Sequence, residues 1–153
     1  MKHQFTILSL LCLFLFLSCE KTDKERETLS ISNAMEQLKL NEKPTWVVIL
    51  PGLGCTGCIQ EGEAFVKDNI TNPKIFFVVT QLQSLKILQQ KIGKKIEGLP
   101  NVFIDTKNKF VIPTSNGIYP CIVQLKNGKI IEHEFQSPSN SLAFEQLHLK
   151  TNL

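Results

Sequence analysis

The stretch Trp46-Val47-Val48-Ile49-Leu50-Pro51-Gly52-Leu53-Gly54-Cys55-Thr56-Gly57-Cys58 decides how the chain folds. Its first five residues are a short, uninterrupted apolar run rich in β-branched side chains, the pattern of a strand buried on both faces. Pro51 to Gly54 breaks that run. From Cys55 the apolar spacing changes to 55, 58, 59, 62, 65 and 66, which follows one face of a helix. The segment therefore predicts strand, tight turn and helix, with Cys55 and Cys58 at the helix start. Thr56 and Gly57 lie between them.

Reading outward, Asn72-Pro73 introduces a second buried strand, Ile75 to Val79, and Leu85, Leu88 and Ile92 mark a helix. A short strand over Val102 to Ile104 follows, with a turn at Lys107-Asn108. Cys121 to Leu125 and Ile130 to Phe135 flank Lys126-Asn127-Gly128-Lys129, and Asn-Gly between two apolar runs predicts a hairpin. A closing helix is expected from Ser139, as N-cap, to about Leu149. Upstream of the deciding stretch, Asn33 to Leu40 predicts a short helix ahead of Pro44. Helices interleaved with buried strands, then a hairpin and a last helix, define an α/β domain: a central mixed sheet with helices on both faces.

Composition fits one such domain. The 153 residues are 42% hydrophobic and 20% charged, and the net charge of +3 is too small to suggest a nucleic-acid partner.

The stretch from Trp46 to about Leu149 resembles the thioredoxin-like superfamily, through C-T-G-C at a helix start and Y-P-C-I-V-Q-L-K-N-G-K further on. The segment N-V-F-I-D-T-K-N-K-F-V-I-P looks similar to the membrane-anchored envelope branch. The resemblance implies a three-layer thioredoxin-like fold over residues 32–153. It also implies a cis Tyr119–Pro120 bond beside the active-site sulfurs, with Tyr119, Pro120, Thr56 and Gly57 supporting substrate binding. Two departures stand out: Gly54 lies where the superfamily usually carries a large residue, and Ile49 where thioredoxin has a buried acid.

The N-terminus reads as an address. Lys2 and His3 precede an apolar run of 11 residues, Ile7 to Leu17, shorter than the ~20 needed to cross a bilayer as a helix. Phe16-Leu17-Ser18-Cys19 resembles the lipobox of bacterial lipoproteins. That resemblance implies a signal peptide over 1–18, lipidation of Cys19, and a domain held at a bacterial envelope membrane and facing the periplasm. Residues 19–31 then read as a lipidated polar tether. Outside the cytoplasm disulfides persist.

With Cys12 removed and Cys19 lipidated, the C-x-x-C pair and Cys121 remain of five cysteines. A helix N-terminus favours a negative sulfur, which makes Cys55 the expected nucleophile, and Cys58, one turn on, the resolving thiol. Protein thiols or disulfides and an envelope redox partner are then the expected partners, and no organic cofactor is needed. A static disulfide in a non-catalytic binding module is the alternative. Metal is disfavoured: zinc wants four ligands, and a copper site would need a histidine added to the pair. His133 reads as a core-edge residue and His148 as surface. Cys121 reads as a buried hydrophobe, with exchange with the pair as the alternative. Glu61 and Glu63, candidate proton acceptors, read as solvated charges. Lys91, Lys94 and Lys95 are expected to face solvent at a helix end.

Overall fold

The computed structural model describes residues 21–38, 40 and 44–152. The signal peptide and Cys19 lie outside them. In chain order the elements are α1 (Asp23–Met35), β1 (Trp46–Pro51), α2 (Thr56–Asn69), β2 (Ile75–Thr80), α3 (Leu85–Ile92) and β3 (Val102–Asp105). A 3₁₀ turn (Ser115–Ile118), β4 (Cys121–Lys126), β5 (Lys129–Phe135) and α4 (Ala143–Thr151) complete the chain.

The five strands form one mixed sheet in the order β3-β2-β1-β4-β5. β1, β2 and β3 run parallel, whereas β4 is antiparallel to β1 and β5 antiparallel to β4. β1 is central and buried along its whole length, which is why its sequence is continuously apolar. Alternate residues serve two cores. Val48, Leu50, Phe77, Val79 and Ile122 meet α2, α3 and α4 on one face. Val47, Ile49, Val78, Cys121 and Val123 meet Ile31 and Ala34 of α1, with Phe110 and Ile112, on the other. Three layers result, an arrangement consistent with a thioredoxin-like fold. The β4–β5 hairpin turns through Asn127 and Gly128, both at positive φ, as the Asn-Gly pair predicts.

Two boundaries are corrected. The expected polar tether over 19–31 and helix over 33–40 give way to α1, which starts at Asp23 and ends at Met35. Thr22 and Glu25 form a reciprocal capping box that fixes this start. Its first five residues, Asp23 to Glu27, are all charged, and it buries only a narrow stripe, Glu27, Ile31 and Ala34, so its start resembles a linker. The last helix starts at Ala143, four residues after Ser139. Ser137 and Asn140 pair across a tight turn, and the buried amide oxygen of Gln136 accepts from Phe144 N at 3.1 Å, in place of a capping side chain.

Candidate functional site

The C-x-x-C segment lies where β1 passes into α2. After Pro51 the chain continues along the sheet for one more bond, Gly52 N donating to the Thr80 carbonyl at 2.8 Å, and then turns. Gly54 makes the turn feasible: its φ is +144°, and a Cβ there would collide with the backbone of Ile118. A large side chain at this position is therefore excluded by a neighbouring segment. Cys55 N donates to the Ile118 carbonyl at 3.0 Å, so the 3₁₀ turn abuts the first cysteine directly.

Cys55 is the N-cap of α2, with extended backbone and its Sγ accepting from Cys58 N at 3.4 Å. It is bonded to Cys58 in a disulfide with the Cα atoms 5.4 Å apart. Cys58 is buried, Cys55 only half-buried, and Thr56 and Gly57 between them are exposed. One sulfur therefore faces outward and the other inward, at the end of a helix whose first N–H groups lack partners in the preceding turn. One turn beyond Cys58, Gly62 lies so close to Leu50 and Pro120 that a Cβ would stand 2.6 Å from Leu50 Cδ1 and 3.3 Å from Pro120 Cγ. Pro120 is thus packed against the helix that carries the disulfide, and Tyr119 links it to Ile118.

The Tyr119–Pro120 bond corrects one expectation. No peptide bond among the described residues is cis. Tyr119 is extended, with φ −109° and ψ 149°, and Pro120 leads straight into β4 while its carbonyl accepts from Gln136 N at 2.9 Å. The trans form, favoured for most X-Pro bonds, satisfies this path.

Cys121 is placed away from the pair. It is fully buried in the core under α1, on the sheet face opposite α2. Burial pushes its thiol well above the usual range, and the charges of Glu27 and Glu134 push it the same way, so it stays protonated and unreactive. Glu61 hydrogen-bonds Gln136, and Glu63 pairs with Lys91 at 2.7 Å. Among the described residues no three His, Cys, Asp or Glu side chains are grouped as metal ligands.

Around the disulfide, Leu53 and Ile118 are about half exposed, at 49% and 46%. Beside Leu53 a cleft of about 510 Å³ opens at the C-terminal ends of β2 and β3, lined by Leu82, Ser84, Ile104 and Asn108 among others. This is the end of a parallel sheet where ligand clefts recur.

The structure also reveals a polar cluster. Glu27 of α1, 3% exposed, faces His133 of β5, with Oε2 2.9 Å from Nε2. Its other oxygen accepts from Thr114 Oγ1 and, at 2.9 Å, from Asn116 Nδ2. Burial would raise the Glu27 pKa, but the hydrogen bonds from His133, Thr114 and Asn116 and the attraction of His133 outweigh it and hold the carboxyl below its ordinary range. Glu27 was hidden in the sequence among the charges of the supposed tether. Only the capping box, Thr22 followed by Glu25, signals that those charges belong to a helix.

The site therefore defines an α/β mixed-sheet domain with a C-x-x-C disulfide at a helix N-terminus. No protein-family model, curated protein or solved structure matches the chain.

Proposed function

We propose that the protein is a lipid-anchored, thioredoxin-like thiol-disulfide oxidoreductase of the bacterial cell envelope, acting on protein disulfides through Cys55 and Cys58. The observation that carries this reading is the asymmetric pair, Cys55 half-buried at the N-cap of α2 and Cys58 buried beneath it. In the reducing direction the Cys55 thiolate attacks a substrate disulfide, forming a mixed disulfide and expelling one substrate thiolate. The Cys58 thiolate then attacks Cys55 Sγ, expels the second substrate thiolate and leaves the Cys55–Cys58 bond. Two electrons pass from the pair to the substrate, and the two released thiolates take up protons. The oxidising direction is the exact reverse. Helix N–H groups and the dipole of α2 favour the charged sulfur. A redox partner in the envelope restores the pair, and Cys19 carries the lipid.

The reading is tested on the mature chain in detergent. A reversible couple between about −120 and −270 mV, with a Cys58→Ser variant accumulating mixed disulfides through Cys55, supports exchange. A bridge that resists reduction below about −300 mV and traps nothing would leave a binding module with a static disulfide. Incorporation of labelled fatty acid, lost in Cys19→Ser, tests the anchor.

A further inference from the structure

We infer that Glu27 is a positioning residue for the thiol chemistry, holding the turn that seats Cys55; this rests on the redox reading proposed above. The contacts form a continuous path from α1 to the disulfide. One Glu27 oxygen accepts from both Thr114 Oγ1 and Asn116 Nδ2, the two side chains that open the 3₁₀ turn. Within the turn, Gly117 N donates to the Thr114 carbonyl and Tyr119 N to the Asn116 carbonyl, each at 3.0 Å. The last residue of the turn, Ile118, accepts from Cys55 N at 3.0 Å. Gly54 has no room for a Cβ against Ile118, so the cysteine loop lies closely on the turn, and Gly117 has none against Ile112, so the turn lies closely on the segment that precedes it.

α1 grips the same segment at two further points. Arg26 Nη2 donates to the Pro113 carbonyl and Ser30 Oγ to the Val111 carbonyl, both at 3.3 Å. These two contacts are exposed and offer modest energy, whereas Glu27 is buried and uses both oxygens. His133 holds the second oxygen. Its Nδ1 faces Thr28 Oγ1 at 3.4 Å, and that hydroxyl donates to the Lys24 carbonyl at 2.8 Å. The imidazole is thus held between α1 and the carboxylate by both ring nitrogens. Glu27 reaches neither sulfur. It acts by fixing where Ile118 presents its carbonyl, and with it the orientation of Cys55 at the N-cap, where the sulfur meets the N–H of Cys58.

The consequence is that loosening the turn displaces the reduced Cys55 from the helix N–H groups that favour its thiolate. The test uses the full chain, reduced, and reads the rate of Cys55 alkylation by iodoacetamide across pH, with Cys55 identified by mass spectrometry. Asn116→Ala and Glu27→Ala are expected to slow alkylation near neutral pH by about threefold or more and to move the midpoint of the profile upward. Glu27→Gln keeps an acceptor oxygen for Thr114 and Asn116 and is expected to recover most of the rate. Hydrogen exchange of the Cys55 amide should quicken in the two alanine variants and stay near wild type in Glu27→Gln. Asn116→Ala, half-buried on the turn, keeps the Glu27–His133 pair intact and serves if Glu27→Ala does not fold. Unchanged Cys55 profiles in folded Asn116→Ala overturn the inference. Failure of the redox reading shows separately, as wild-type protein that reacts with iodoacetamide yet exchanges with no disulfide.

Discussion

At the scale of single residues, the proposed chemistry turns on Gly54 and on the unequal burial of the two cysteines. Gly54 has a positive φ and no space for a side chain against Ile118, so Gly54→Ala must either move the 3₁₀ turn or strain the loop. The expected cost is about 1–3 kcal/mol, read as a lower urea midpoint at unchanged slope. Cys121→Ala should leave the redox couple of the pair unchanged, because its thiol is buried on the opposite sheet face. A shift in that couple would show that Cys121 communicates with the disulfide. The C-x-x-C position was legible because a change of apolar period from strand to helix is local information. Glu27, Thr114 and Asn116 were not, since nothing in a run of charges reports which one will be buried 87 or 89 residues away from its partners. The trans Tyr119–Pro120 bond was missed for a related reason: the dipeptide permits either isomer, and the path into β4 selects one.

At the scale of elements, α1 and the loop after β3 are each tied down by a buried carboxylate. Asp105 at the end of β3 accepts from Thr80 Oγ1 and Phe110 N, both at 2.8 Å, and from Lys107 N at 3.2 Å. Burial raises its pKa, as it does for Glu27, but in each case the hydrogen bonds prevail and the folded value lies below the ordinary range. The folded state thus binds these protons less tightly than the unfolded chain. Their stabilisation is complete above the ordinary carboxylate values, near 4, and is lost as pH falls through the lower folded values. Urea midpoints should accordingly stay flat on the acidic side until about pH 4–5 and then drop. Glu27→Gln and Asp105→Asn should each be less stable at neutral pH and show a shallower acid drop. An acid limb equally steep in both variants would place the effect elsewhere. Strands and the hairpin were readable from periodicity and from Asn127-Gly128, whereas α1 was misread as tether because tertiary burial, more than its own apolar content, makes it part of the domain.

At the scale of the whole molecule, the start of α1 alters what the proposed anchor does. If residues 19–31 were a flexible tether, the domain would range freely above the membrane. Instead Thr22 already caps a packed helix, and Cys19 precedes it by only three residues in the sequence, at most about 10 Å of chain. That end of α1 is also the disulfide end of the sheet: Arg26 and Glu27 contact Pro113, Thr114 and Asn116, and the same turn continues to Ile118 against Cys55. Thr71, after α2 and before β2, lies at the opposite end. Lipidation at Cys19 would therefore hold Leu53 and Ile118, the exposed apolar rim of the disulfide, close to the lipid headgroups. Trp46 is the chain's single tryptophan, so in a Trp46→Phe background a reporter can be introduced by Leu53→Trp or by Thr71→Trp. In vesicles with nitroxide-labelled headgroups, Leu53→Trp should be strongly quenched and Thr71→Trp weakly. Inserting about 15 Gly/Ser residues between Lys21 and Thr22 adds a root-mean-square reach of about 20 Å and should erase the difference. Equal quenching of the two reporters without the insertion would show that the disulfide is not held at the surface, and substrates would then be reached from the aqueous side alone.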